Sequence, residues 1–318
     1  MTFDPDMLLN LRRLTLTDTA VRADLLAGNY RRLTPEVAIW AETWRGLPPW
    51  EQARARAYAF GMSADKAILA GNSAALLLGI AVVDADPPVE MTYLNPKSVR
   101  SRRFWPAHTV FRHGALTEDE ACVVDGVRVT TPLRTLRDIA RYHGLLAGVV
   151  AIDDARRTTP GLSTEHLHRI MTSELRYHGV GMVRQAIDLS VDDADSPLES
   201  MARVILVRAG VGQVRTQVLM RPGGGAQTYR VDLLIDGWLV VELDGNVKYD
   251  GSTFGTPVDE VIRAERHREK QLQNAGFVVI RASFADLSQR TDGGCRLLDL
   301  VRAAQRRRRP GASGRARH

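Results

Sequence analysis

Apolar positions recur at helical spacing in some stretches of this chain and as alternating or unbroken β-branched runs in others, and the two patterns divide it into three regions. In the first, to about residue 50, LTDTAVRADLLAGNYRRL (16–33) predicts one or two short helices, then Gly28-Asn29, then a basic, extended segment. WRGLPPW (44–50), with its proline pair, marks a boundary. The second region, 51–190, predicts helices over 51–60 and 73–79 and strands over VEMTYL (89–94) and TVFRH (109–113). VVDGVRVT (123–130) sets an Asp-Gly pair between β-branched runs, which predicts a hairpin. Thr131 and Pro132 then open a helix as N-cap and first-turn residue, with Leu133, Leu136 and Ile139 on one stripe. Further helices are expected over 145–157, 163–173 and 180–190.

After the acidic, polar linker DLSVDDADS (188–196), the third region (191–303) has a clear order. A helix (197–210) precedes three strands, VRTQVLM (214–220), TYRVDLLI (228–235) and WLVVELDG (238–245). A loop, a helix (258–276), the strand FVVIRAS (277–283) and a last helix (295–305) follow. The whole reads as a multidomain α+β and α/β chain, ending in a disordered Arg-rich tail from 304 to 318.

Charge refines this picture. The 318 residues carry 43 Lys+Arg against 37 Asp+Glu, a net of +6. Seven arginines and no acid lie in 302–318, and without them 36 basic residues face 37 acidic ones. The basic excess therefore belongs to the tail, and nucleic-acid binding has to be argued from local patches. Cys122 and Cys295 are the only cysteines, which excludes a disulfide framework and a cysteine-rich zinc site. The start lacks a basic leader, and the longest apolar stretch, 67–83, is interrupted by Gly71, Asn72 and Ser73. The expectation is a cytoplasmic protein without a membrane span.

The candidate chemistry lies where acids interrupt the apolar strands of the third region: Asp232 in RVDLLI, Glu242 and Asp244 in VVELDG. A buried carboxylate is costly unless it is paired or binds a metal, and neighbouring carboxylates repel. A hard divalent cation resolves both problems. Glu242 and Asp244 share a strand face. Asp232 joins them only if the turn at Asp236-Gly237 spans three residues, so that 235 pairs with 239 and 232 with 242; a two-residue turn would point Glu242 away. We expect the three-residue turn. The competing reading puts these acids at strand ends, in contact with solvent.

Glu199, Asp232, ELDGNVKYD (242–250), AERHREKQLQNAGF (264–277) and VVIR ending at Arg281 together resemble the PD-(D/E)XK nuclease superfamily, and more narrowly its very-short-patch-repair-like branch. Arg268-Glu269, Leu272, Gly276, Val279 and Arg281 match that branch's spacing, over about a third of the chain. The resemblance implies a restriction-endonuclease-like mixed sheet flanked by helices and Mg²⁺- or Mn²⁺-dependent hydrolysis of DNA. Asp232, Glu242 and Glu199 would be the metal ligands, Asp232, Glu242, Asp244 and Lys248 the catalytic set, and Arg268 and Arg281 phosphate contacts. Two positions depart from the pattern. Asp244 stands where the superfamily has lysine, and Lys248 stands near the expected histidine and could supply the ammonium. Glu199 also fits a capping box with Ser196 and Arg281 an ion pair with these same acids, while Glu265 and Glu269, on the helix stripe of Val258, Ile262 and Leu272, either approach the site or form a solvated helix edge.

In the second region KSVRSRRFWPAHTVFRH (97–113) interleaves Lys97, Arg100, Arg102 and Arg103 with aromatics, which suits nucleic acid or a solvated loop. ADLLAGNYRRL (23–33), NSAALLLG (72–79), VEMTYL (89–94) and VVDGVRVTTPLRTLRDIAR (123–141) resemble the AbiEi-type antitoxin architecture, an N-terminal winged helix (1–50) before an α+β domain (51–190). That resemblance implies phosphate contacts by Arg31 and Arg32, double-stranded DNA as partner, and a cognate toxin or other protein as a second partner.

Overall fold

The computed structural model describes residues 1–99, 101–173, 177–221, 228–245, 268–288, 290 and 293–308. Over these residues the protein is mixed α+β with three sheets. It divides into two compact units, Met1–Ala155 with Thr159–Ser190, and Arg156–Thr158 with Val191–His318.

The first unit starts with β1 (Leu8–Asn10), α1 (Thr19–Leu26), β2 (Tyr30–Arg32) and β3 (Val37–Trp40), the strands forming a sheet in the order β1-β3-β2. Helices α2 (Ala41–Gly46) and α3 (Pro49–Ser63) follow. Then come β4 (Ile68–Leu69), α4 (Gly71–Leu78), β5 (Val89–Thr92), β6 (Thr109–Phe111), β7 (Ala121–Val124) and β8 (Val127–Thr130), with a sheet order of β6-β5-β4-β8-β7. Residues on either side of position 50 share one hydrophobic core: Phe3, Ile39 and Trp44 bury together with Tyr58, Leu69, Leu77, Met91 and Val129. The Asp-Gly hairpin forms as expected, pairing Val124 with Val127. Asp125 and Gly126 take φ of 48° and 82°, the two positive values that a tight turn between twisted strands requires.

The helices expected over 133–142 and 145–157 join end to end as α5 (Pro132–Thr158), with Gly144 (φ 85°) as the joint. Thr131 takes the N-cap position, but its side chain makes no capping bond. Helices α6 (Thr164–Met171) and α7 (Val180–Asp188) complete the unit.

On β5, Glu90 is completely buried. Its carboxylate accepts hydrogen bonds from Asn72 N (3.1 Å) at the start of α4, from Arg112 Nε (2.5 Å) and from His143 Nε2 (2.7 Å). Gly71, at φ +51°, is the residue that lets α4 approach so closely. A Cβ there would lie 2.7 Å from Glu90 Oε2. Burial pushes the Glu90 carboxyl up, but the bonds and charges of His143 and Arg112 outweigh it and hold the group below the usual range.

The second unit contains α8 (Pro197–Arg208), β9 (Val214–Met220), β10 (Tyr229–Ile235), β11 (Leu239–Asp244), a helix α9 described over 268–274, β12 (Val278–Ser283), α10 (Phe284–Leu287) and α11 (Arg296–Arg308). The sheet order is β12-β11-β10-β9, with β11 and β12 parallel and the other pairs antiparallel. Leu233, Ile235, Leu239, Val240 and Val241 are fully buried, the burial of near-continuous apolar strands. Leu272 of α9 packs with Leu234 and Val240, and α8 and α11 pack against the sheet. The tail expected to be disordered from 304 instead starts as helix, because α11 continues through Arg308 with Leu297, Leu298 and Val301 buried. Residues 309–318 lie outside the described residues. Among the described residues no helix is long and apolar enough to cross a membrane.

Candidate functional site

The turn between β10 and β11 decides the site. Ile235 pairs with Leu239, Leu234 with Val240 and Leu233 with Val241. Asp236 and Gly237 take φ of 49° and 73°, and Trp238 N donates to Ile235 O at 3.1 Å. This is the three-residue turn, and its register sets Asp232 opposite Glu242 on one sheet face. The ladder ends there. Leu243 N, instead of bonding the neighbouring backbone, donates to Asp232 Oδ2 at 2.8 Å. Strand β11 stays paired with β12 through Asp244↔Ser283, so β10 and β11 part next to the two acids. On β12, Arg281 is the register partner of Glu242.

The acids open into a cleft of ≈ 80 Å³ lined by Asp232, Glu242, Asp244, Arg268, Glu269 and Arg281 over an apolar seal of Leu243, Leu272 and Val279. Helix α9 supplies Arg268 and Glu269 one turn before Leu272. Arg268 Nη2 bonds Glu242 Oε1 and also Arg230 O at 3.0 Å. Arg281 lies 3.7 Å from both Asp244 Oδ2 and Glu269 Oε2. Burial pushes the Glu242 carboxyl above the ordinary range. The nearby Arg268 pulls it back in part, and the charge of Asp232 pushes it up again.

Glu199 sits beside this row at the start of α8, where Ser196 caps the helix but the return bond of the expected box goes to Asp195 N instead of Ser196 N. Ser196 Oγ accepts from Glu199 N at 3.2 Å, while Glu199 Oε1 accepts from Ser196 Oγ and Oε2 from Asp195 N, both at 3.0 Å. Gln217 Nε2 donates to Oε2 as well. Burial raises the Glu199 carboxyl, the bonds from Asp195 and Gln217 lower it, and Asp232 raises it further. Glu199 thus feels the charge of Asp232 while its oxygens are taken up by the helix start. Among the described residues no group of three or more His, Cys, Asp or Glu gathers as a metal cage. Asp232 and Glu242 are a two-carboxylate donor set of hard oxygens. This fits Mg²⁺, which is held by one or two carboxylates and completes its shell with waters and phosphate oxygens.

Several sequence expectations narrow or change here. Of the two readings of Glu269, the approach to the site holds, since it lines the cleft near Arg281. Arg268, expected on phosphate, is bonded to Glu242. Gln217 was not legible as a site neighbour. It takes φ 46° within β9, breaking the ladder between Thr216 and Val218 and turning its amide to Glu199. The helical spacing of Arg268 and Leu272 was the available signal for the first two, since residues four apart share a face. Lys248, Glu265 and Arg100 lie outside the described residues. Lys97, Arg102 and Arg103 are exposed in the first unit, as are Arg31, whose guanidinium lies 4.7 Å from the Trp44 ring centroid, and Arg32.

A raised carboxyl pKa means that the fold disfavours the charged form. Glu242 should therefore favour the folded, metal-free protein at low pH, and that contribution is lost as pH rises through its folded pKa. Glu242→Gln, neutral and nearly isosteric, is expected to raise the melting temperature of the metal-free protein at neutral pH. An acid kept only for its ion pair with Arg268 would give the opposite sign, because removal would strand a partly buried guanidinium. Thermal unfolding in EDTA checks the sign. Comparison with family models, with curated proteins and with solved structures finds no match to this chain.

Proposed function

We propose that the protein is a metal-dependent DNA endonuclease whose active site is the cleft at Asp232 and Glu242, with a DNA-binding N-terminal half. The observation that carries this reading is the register that places two half-buried carboxylates side by side where β10 and β11 part. Asp232 and Glu242 would hold Mg²⁺ or Mn²⁺, with Asp232 oriented by Leu243 N and Glu242 by Arg268. A divalent cation, when bound, supplies Lewis acidity toward a phosphoryl oxygen and an activated water. Arg281, within reach of Asp244 and Glu269, can exchange those acids for a phosphate oxygen as the backbone enters. Leu272 and Val279 keep bulk water from one side of the cleft. Double-stranded DNA is the substrate class this reading names. Its test is nicking of supercoiled plasmid in Mg²⁺ by the wild type, Asp232→Ala and Glu242→Ala.

A second reading has its own observation. Asp244 stands where a nuclease of this kind carries lysine, and Arg268 already neutralises Glu242. On that reading the chain is a non-catalytic, antitoxin-type DNA-binding regulator built on a degenerate nuclease fold. Absence of nicking together with tight, salt-sensitive DNA binding would select it.

A further inference from the structure

A cleft of ≈ 750 Å³ in the first unit lies far in sequence from any of the residues assigned above to hydrolysis and is mainly apolar. That volume is within the range of about 300–1,000 Å³ usual for specific ligand pockets. Its wall is aromatic. The rings of Tyr93 and Phe111 lie almost parallel, 5.6 Å apart with 9° between their planes, and Trp105 tilts against Phe111 at 5.4 Å. Phe60, Met91 and Pro106 extend the apolar lining.

The rim is basic. Arg32, held by a bond from Nη1 to Pro35 O at 3.0 Å, and exposed Lys66 both line the cleft. Lys97 stands next to the lining residue Ser98, and Arg102 and Arg103 stand on the segment that leads to Pro106. The Arg103 guanidinium lies over the exposed ring of Phe104 at 4.6 Å. The one acid among the lining residues, Asp65, lies 3.4 Å from Arg12, which also bonds Glu36 at 2.6 Å. An aromatic wall beneath a cationic rim suits a ligand with flat apolar faces strung on a polyanion. Duplex DNA does not fit that description, because its bases are stacked on one another and present no face. A single strand does.

We infer that this cleft docks unstacked bases of single-stranded DNA, with Tyr93 and Phe111 as the stacking wall and Arg32, Lys66, Lys97, Arg102 and Arg103 as backbone contacts. The inference rests on the reading of the chain as DNA-directed, but not on cleavage. It explains why the basic residues Lys97, Arg102 and Arg103 are followed by Phe104, Trp105 and Phe111, which phosphate contacts alone would not require.

The test uses the full chain in EDTA, so that binding is read without hydrolysis. Fluorescence anisotropy compares a labelled twelve-residue oligothymidylate with an abasic strand of equal length and charge. Wild type is expected to prefer the thymidylate at least about fivefold, since one stacked base contributes that much or more. Tyr93→Leu, which keeps apolar cover but has no ring, should lose most of that preference. Equal affinity for the two strands, or a preference that survives Tyr93→Leu, would overturn the inference. If that variant does not fold, photocrosslinking of wild type to a 5-bromodeoxyuridine strand decides. Adducts on peptides containing Tyr93, Trp105 or Phe111 support the cleft, and adducts confined to other peptides overturn it. Duplex binding without base preference would leave the endonuclease reading standing while this inference falls, and no binding of any strand or duplex would remove both.

Discussion

Replacing Glu242 by alanine is expected to reduce Mg²⁺-dependent nicking of supercoiled plasmid at least about a hundredfold, because even groups that merely support a metal ligand cost tenfold to a hundredfold when removed. Asp232→Ala should do the same. The argument is geometric. The two side chains leave adjacent strands at the point where the ladder stops, so one cation can reach both, and neither has a substitute of the same charge at the same register position. Asp244, two residues along the same face, is 42% exposed and lies near Arg281, so it is a poor replacement for Glu242. Cleavage that persists in both variants would come from a contaminating nuclease and would remove the endonuclease reading. Loss of nicking should be accompanied by an unchanged or higher melting temperature in the Glu242→Gln form, which separates a site defect from an unfolding defect.

The second large effect falls in the first unit and concerns stability. Glu90→Ala is expected to lower the unfolding free energy by about 3 kcal/mol, since removing one partner of a buried ion pair costs roughly 3–5 kcal/mol and Arg112 is 22% exposed. The substitution strands Arg112, His143 and the Asn72 N–H at once. For a unit of this size the loss corresponds to roughly 6–12 °C in melting temperature. The sign with pH follows from the lowered pKa of Glu90. Its contribution is fully present above the carboxyl's unfolded value and is lost as pH falls through the folded one, so the gap between wild type and Glu90→Ala should narrow in acid. A gap that stays constant from neutral to acidic pH would show that packing, not charge, sets the effect. Circular dichroism melts across that range measure it.

The parts of this architecture that could be read in the sequence are those governed by local chemistry. Asp236-Gly237 and Asp125-Gly126 both specify turns that need left-handed residues, and both hairpins formed, but the pair closes a two-residue turn at 125–126 and a three-residue turn at 236–238, so the second register was legible only from the convergence of the acids. Ser196 and Glu199 announced the start of α8 because a capping box involves only residues three apart. What depended on distant packing was not legible. Strands β1, β3 and β4 are two to four residues long, too short to carry a period, and exist because neighbouring strands and α3 bury them. The bond between Arg268 and Glu242 joins positions 26 apart. The buried triad of Glu90, Arg112 and His143 is likewise non-local, and Glu90 in VEMTYL reads as an ordinary solvent-facing position of an alternating strand.

Gln217 has a further consequence. Strand β9 forms one border of its sheet, and a regular border row of amides and carbonyls invites a foreign strand to add itself. The left-handed backbone at Gln217 interrupts that row midway. The same local conformation that aims an amide at Glu199 therefore also guards the protein against edge-to-edge self-association, so a version of this segment with regular extended backbone at 217 should be more prone to form fibrils.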